Sequence, residues 1–282
     1  MSIISLINMK GGVGKTTLSI NICDCLNRRY SKKVLLIDID PQFNATQCLL
    51  SGDAYVDHLK KEKDTIITIF EDKTRSIASS VSGITEKKSK PLNEITPIAF
   101  RRNFHLLPGN LDLYRIEMAS GSGRENRLKR YLQEIQQKEN YDYIIIDTPP
   151  TPSVWMTSAL LASDYYLIPV KPDPLSFVGI DLLQTIIEDK REDLAFKIKC
   201  IGLVLTMVER EDSVVYQKAL EQIKKGDWSQ FKYKKYIPKR ADIAKYQLNK
   251  FFILDSNETF LKSSLTGIID ELISRIENHG KK

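Results

Sequence analysis

Residues suited to phosphate chemistry lie close together near the start of this 282-residue chain. An apolar run beginning at Ile3 ends in Lys10, Gly11, Gly12, Val13, Gly14, Lys15, Thr16 and Thr17. Glycines reach backbone angles closed to other residues and carry no side chain, so their N–H groups can fold around phosphate oxygens. Lys15 adds a cation for the outer phosphates, and Thr16 stands where a phosphate-loop hydroxyl ligates Mg²⁺. The helix expected after the loop points its positive dipole end at the same anion. A glycine turn between a core strand and a core helix explains the glycines alone. It leaves the order strand, loop, lysine, hydroxyl, helix unexplained, so the expected ligand is a nucleoside triphosphate with magnesium.

Two further stretches place carboxylates where such a ligand needs them. Lys33 to Asp40, KVLLIDID, reads as a strand buried on both faces and closed by two acids. Asp38 and Asp40 are two apart on an extended chain, so both can point to one side at the carboxyl end of a parallel sheet. Tyr143 to Asp147, YIIID, repeats the pattern with one acid and runs on into Thr148, Pro149 and Pro150. Only sheet formation can bring Asp147 to Asp40. A solvated strand end is the plainer reading of the paired acids, and their company with the loop outweighs it.

The spacing Gly11-x-x-Gly14-Lys15-Thr16 is shorter than the general phosphate-loop pattern, and Lys10 opens it. KGGVGKTT resembles the deviant Walker A box of the ParA/MinD group of P-loop ATPases, DIDPQFNAT resembles the group's D-x-D-P-Q-G-N-A-T segment, and DTPP resembles its Walker B box. The resemblance covers nearly the whole chain and is strongest in residues 3–48 and 141–150. It implies an ATPase that uses ATP and Mg²⁺, with Lys10, Lys15 and Asp40 as catalytic residues. Lys10 would reach across a dimer to the partner's nucleotide, and Asp40 would orient or activate the attacking water. Asp38 would support Mg²⁺ through its hydration shell and Asp147 would hold a magnesium-bound water, with Thr16 as the direct ligand. Gly11, Gly12, Val13, Gly14, Lys15, Thr16 and Thr17 would bind the phosphates. Met207, after the strand Lys199 to Thr206, and Pro238, in a loop resembling the family's I-P-R loop, would lie beside the base. One departure stands out: Phe43 occupies a position where the family usually has glycine.

The elements that must position these residues follow from periodicity. Thr17 to Tyr30 carries Leu18, Ile22, Cys25 and Leu26 at helical spacing, with Arg28 and Arg29 at its end. Thr65 to Phe70 predicts a short helix, and Asn103 to Leu107 a strand on which His105 is a structural residue. Arg124 to Gln137 predicts a basic amphipathic helix. Tyr165 to Val170 and Lys199 to Thr206 are buried strands, Val214 to Lys225 a helix, Tyr233 to Ile237 a short strand, and Phe251 to Leu254 an edge element. The alternation of strands and helices predicts an α/β fold, a doubly wound, mostly parallel sheet flanked by helices of the P-loop NTPase kind. Residues 1–282 read as a single such domain, with a mobile surface segment around 72–97, rich in serine and lysine from Ser76 to Lys90.

Composition narrows the function classes. With 42% hydrophobic and 28% charged residues the chain is of ordinary globular type. No stretch approaches the roughly 18 apolar residues of a membrane span and no signal-peptide pattern opens it, so a cytoplasmic protein is expected, and the family resemblance implies that it is nucleoid-associated. Cys23, Cys25, Cys48 and Cys200 are too scattered for a zinc site or an iron–sulfur cluster beside the nucleotide, which argues against an electron carrier. A biosynthetic ATP-dependent ligase would keep the loop without needing DIDPQ and DTPP together. The formal charge of +6 favours anionic partners. Lysines crowd the region from 224 to 250, and Lys224, Lys225, Lys232, Lys234 and Lys235 are the expected DNA contacts, interleaved with Trp228, Phe231, Tyr233 and Tyr236.

Within the family, the resemblance points to the smaller Soj-like class, because the chain starts on the loop-bearing strand. The expected function is ATP-dependent DNA partitioning. An ATP-bound sandwich homodimer binds nonspecific double-stranded DNA, and a ParB-like centromere-binding protein stimulates hydrolysis and releases it. The alternative is a MinD-like membrane-surface positioning ATPase, which would end in a basic amphipathic helix. Leu265, Ile268, Ile269, Leu272, Ile273 and Ile276 share one helical face, yet Asp270, Glu271 and Glu277 populate the other. That acidity predicts a core helix and no membrane partner.

Overall fold

The computed structural model describes residues 1–71, 90–118, 123–173, 176–226, 228–240, 242–243 and 249–280. Most of the expected surface segment around 72–97 lies outside the described residues; in the remainder, Leu92–Glu94 forms a 3-10 turn.

Seven strands make one sheet: β1 (Ser2–Leu6), β2 (Val34–Asp38), β3 (Ile98–Arg101), β4 (Phe104–Leu107), β5 (Tyr143–Asp147), β6 (Tyr165–Val170) and β7 (Lys199–Leu205). Their order is β3-β4-β2-β5-β1-β6-β7, and every pairing is parallel except the β3–β4 hairpin at one edge. β3 is absent from the sequence-based expectation: its four residues are half-buried or exposed and show no clean alternation.

The central strands read as unbroken apolar runs because both sheet faces are covered. Val34 and Leu36 point to one face and Leu35 and Ile37 to the other, and all four are fully buried. The first face is covered by α1 (Lys15–Tyr30) and by α10 (Thr259–Gly280), with α2 (Asn44–Leu49) beside them. The opposite face is covered by α6 (Arg127–Lys138) and α7 (Val154–Ala162), and past β1 by α8 (Ser176–Leu194) and α9 (Val214–Lys225). Three short helices, α3 (Gly52–Lys60), α4 (Ile66–Phe70) and α5 (Leu113–Met118), lie in the connections.

α10 settles the character of the C-terminal helix. Leu261, Leu265, Ile268, Ile269 and Leu272 are fully buried against α1 and the sheet, and Ile276 is 9% exposed. Each such side chain contributes roughly 2 kcal/mol of burial, so the apolar face is committed to the core. Among the described residues no helix is long and apolar enough to cross a membrane.

Two expected elements take other forms. Tyr233 to Ile237 forms no regular strand; the chain runs beside β7 through single bonds, Tyr233 N–H to Leu203 O and Ile237 N–H to Leu205 O, with isolated bridges at Lys232 and Pro238. Phe251 to Leu254 leads into a 3-10 turn, Ile253–Asp255, capped by the Asp255 carboxylate on Phe252 N–H. His105 donates to or accepts from Tyr141 OH at 2.5 Å, as a structural strand residue would.

Candidate active site

The site forms where β1, β5 and β2 end side by side. Asp147 stands in register with Leu6 of β1 and with Asp38 of β2, so two acids far apart in the chain become neighbours. Beyond β1, buried Asn8 turns the chain out of the sheet: its Nδ2 donates to Pro169 O at 2.7 Å, and its Oδ1 accepts from Lys10 N–H at 2.8 Å. The loop then needs left-handed backbone at Gly12 (φ 70°) and Gly14 (φ 81°), angles that a side chain would strain. Gly14 caps α1 and, having no side chain, gives that helix no side-chain cap hydrogen bond. Val13 is pinned from the far side of the sheet, its carbonyl accepting from Thr206 Oγ1 at 2.7 Å.

The loop surrounds a cavity of about 650 Å³ lined by Gly11 to Thr17, Asp40, Asn44, Gln47, Cys48, Pro150 and Met207. Lys15 is 7% exposed, and its ammonium donates to Asn8 O at 3.0 Å and Lys10 O at 3.3 Å. Burial lowers its pKa, and the nearby Asp147 and Asp40 charges oppose that. A second cavity of about 250 Å³ shares Gly14, Thr17 and Met207 and is otherwise lined by Leu18, Thr206, Ile237, Pro238, Lys239, Arg240, Ile243 and Ile253. A cavity that carries a lysine and a carboxylate, joined through shared residues to an apolar slot, has the size and character for a nucleotide.

The carboxylates are deeply set. Asp147 is fully buried and accepts from Thr16 Oγ1 at 2.7 Å and Ser19 Oγ at 2.9 Å. Burial pushes its pKa up to about 6 against those hydrogen bonds and Lys15. Asp38, also fully buried, accepts from Thr46 N–H and Oγ1 on one oxygen, at 2.8 and 2.7 Å. Burial and the charge of Asp147 drive its pKa well up. Its other oxygen, Oδ1, is buried without a hydrogen-bond partner among the described residues. An orphaned carboxylate oxygen beside a second buried carboxylate and a threonine hydroxyl is a hard oxygen donor set that suits Mg²⁺ or its waters. Asp40 is 6% exposed and lines the phosphate cavity, with Gln42 N–H donating to its Oδ1 at 2.9 Å. Burial raises its pKa, against the Gln42 hydrogen bond and the Lys15 charge.

Lys10 turns within its own chain. Its ammonium holds both oxygens of Asp173 at 2.6 and 2.7 Å and reaches Ser176 Oγ at 3.4 Å. Met207 and Pro238 both line the apolar slot, and Met207 carries a left-handed backbone, φ 53°. The five lysines expected at DNA are not equivalent. Lys224, Lys225, Lys234 and Lys235 are exposed, whereas Lys232 is half-buried and donates back to Tyr233 O at 3.0 Å, its pKa lowered by burial.

Several lining residues escape sequence reasoning. Asn44, Gln47 and Cys48 reach the cavity because α2 starts immediately after the Asp40 loop, a proximity that helical periodicity from Asn44 could have exposed. Ile253, from the 3-10 turn before α10, lines the slot, and Asp173, from the connection after β6, holds Lys10; neither has a local signal of its destination.

Residues 1–200 match the family described as AAA domain. Over 244 residues the chain is 33% identical to the sporulation initiation inhibitor protein Soj of Bacillus subtilis, which covers 86% of each chain. A solved ATP complex of a Cyanothece McdA variant superposes with a TM-score of 0.74 at 19% identity, covering 96% of both chains. A plasmid partition protein from Borrelia burgdorferi gives 0.67 at 24% identity, covering 97% of this chain and 98% of that one. The two structures establish shared architecture, and the family match and the Soj relative add shared descent. With the deviant loop and its buried acids in place, the chain belongs to the ParA/MinD superfamily of P-loop partitioning ATPases.

Proposed function

We propose that residues 1–282 act as one Mg²⁺-dependent ATPase unit whose ATP-bound dimer holds nonspecific duplex DNA and lets go on hydrolysis. The observation that carries this is Asp40, held by Gln42 N–H and lining the same cavity as the phosphate loop. Loop N–H groups, the α1 N-terminus and Lys15 would bind the triphosphate. Thr16, Asp38 and Asp147 would hold Mg²⁺, which supplies charge neutralisation on the phosphate oxygens when bound. Asp40 orients the attacking water, and its burial-raised pKa makes it a better proton acceptor than an exposed carboxylate.

Lys10 has a place in the same scheme. Its reach to a partner's phosphates requires it to leave Asp173, so dimerisation exchanges an internal ion pair for an intersubunit one. Lys224, Lys225, Lys234 and Lys235, with a smaller share from Lys232, give a patch that a dimer doubles for phosphate contacts without base reading. A ParB-like centromere-binding protein is the expected stimulator of hydrolysis, and the nucleoid in the cytoplasm the expected location. The membrane-surface alternative is disfavoured by α10, whose apolar face is buried in the core.

The deciding experiment compares binding to nonspecific duplex DNA and to anionic vesicles with ATP, ADP or no nucleotide. DNA binding that requires ATP, ignores sequence and falls steeply with salt is expected. Vesicle binding without DNA binding would replace this reading with the membrane one. Asp40→Ala should retain ATP and DNA yet stop turnover; normal hydrolysis by that variant removes Asp40 from its role. Changing Lys224, Lys225, Lys232, Lys234 and Lys235 to glutamate should abolish DNA binding and spare basal hydrolysis, and retained DNA affinity would put the surface elsewhere.

A further inference from the structure

The loop that carries Asp40 is built around an unusual residue. Phe43 sits in the left-handed region, φ 40° and ψ 40°, where a bulky side chain is strained, and it is the residue that starts α2. Its N–H donates to Asp40 O at 2.8 Å, so its backbone conformation sets where Asp40 leaves the turn. A stack on the Phe43 ring begins a chain of four contacts that runs from it to Asp38. The Phe43 ring stacks on Tyr55 of α3, with centroids 5.3 Å apart and an interplanar angle of 23°. Tyr55 OH in turn donates to Gly109 O at 2.9 Å. Gly109 N–H donates to Thr46 Oγ1 at 2.7 Å, and Thr46 Oγ1 donates to Asp38 at 2.7 Å.

Gly109 is the point where these contacts meet. A Cβ there would lie 2.5 Å from the Phe43 Cβ and 3.0 Å from Asp38 Cγ. The first distance is far inside van der Waals contact with an atom held by the backbone, so residue 109 has to be glycine while residue 43 keeps a side chain in this position. The stack fixes Phe43 from one side and the bare Gly109 backbone admits it from the other.

We propose that Phe43 and Gly109 are a matched positioning pair, which with the Tyr55 stack fixes the Asp40 loop and the Asp38 carboxylate relative to the phosphate cavity. The pair touches no phosphate, so it acts on turnover through the two acids and leaves nucleotide affinity alone. The proposal rests on the reading of Asp40 as the hydrolytic carboxylate. Its packing half, the coupling of residues 43 and 109, stands independently of that reading.

The test is a double-substitution cycle read in two ways: ATP turnover, split into kcat and KM, and the thermal midpoint. Phe43→Gly frees the loop and should lower kcat about threefold at unchanged KM. Gly109→Ala collides with Phe43 and should lower kcat roughly tenfold together with the midpoint. In the double variant the alanine meets no Phe43 side chain and keeps only its 3.0 Å approaches to Asp38 Cγ and Oδ2, so kcat and midpoint should recover most of the Gly109→Ala loss. Tyr55→Phe, which keeps the stack, should fall less than Tyr55→Ala. Losses that simply multiply, with alanine at 109 equally harmful beside glycine at 43, overturn the pair. If Gly109→Ala alone does not fold, a folded double variant supports the pair and an unfolded one overturns it. A wild-type protein that hydrolyses no ATP would defeat the functional reading, while the midpoints of the four chains would still decide the pairing.

Discussion

The two ends of the nucleotide cavity are built on opposite principles. At the phosphate end, a glycine loop, a lysine and three buried acids meet where adjacent strands stop, and the charged and hydroxyl groups there are held by specific hydrogen bonds. At the base end, Leu18, Met207, Ile237, Pro238, Ile243 and Ile253 form an apolar slot from segments scattered along the chain. The difference is one of physical means. Preorganised charge in a buried site provides tight phosphate binding and the chemistry, whereas an apolar slot contributes through area and shape and tolerates variation. On the proposed function, the chemistry is therefore concentrated at the phosphate end, and the base end depends on its support.

That contrast is broken most directly at Lys15. Lys15→Ala leaves phosphate charge uncompensated in the loop and should remove ATP binding, a loss of at least about a hundredfold or about 3 kcal/mol. Calorimetric titration measures it, and a loss under tenfold would mean that the phosphate end does not dominate.

The support of the base end predicts a pH effect. Ile253 N–H donates to Asn21 Oδ1 at 2.7 Å, and beside it Arg28 bridges Asp24 to Asp255 while Arg101 also pairs with Asp24. Burial pushes the Asp24 pKa up to about 6 despite those two arginines. A carboxylate raised in the folded state binds more protons folded than unfolded, so its contribution to stability falls as pH rises from about 4 to about 6 and is level above. The change amounts to roughly 2–3 kcal/mol. Asp38, Asp40 and Asp147 are shifted in the same direction, so the measurable quantity is a difference. Wild type should lose stability relative to Asp24→Asn across that window in denaturant titrations. Parallel pH profiles would show that Asp24 is not the titrating group.

Smaller effects sharpen the comparison. Lys10→Ala should weaken the ATP dimer about tenfold while changing nucleotide binding to the monomer less, as read by size-exclusion chromatography with a slowly hydrolysed ATP analogue. An unchanged dimer population would confine Lys10 to its Asp173 pair. Met207→Ala, at the base end, should cost about 1 kcal/mol of ATP affinity with kcat intact. A drop in kcat instead would show that Met207, through its contact region with Gly14, also positions the loop.

The sequence by itself determined the parts whose chemistry is contiguous. KGGVGKTT, DIDPQ and DTPP each place their residues within one turn of chain, where local geometry leaves little freedom. The stripe on α1 and the unbroken runs of β2 and β5 likewise declare helix and buried strand, because burial imposes its period on neighbouring residues. The acidic face of α10 already marked it as a core helix. Tertiary structure alone decided the rest. The order β2-β5-β1, which sets Asp38 beside Asp147, is a property of crossovers that leave no local pattern. The weak edge strand β3, the broken pairing of Tyr233 to Ile237, the hold of Asp173 on Lys10 and the fit of Phe43 over Gly109 all depend on partners brought from elsewhere. The physical reason is that side-chain periodicity records which way a residue faces, while the identity of what it faces is settled only when the sheet closes and distant loops are brought to one edge.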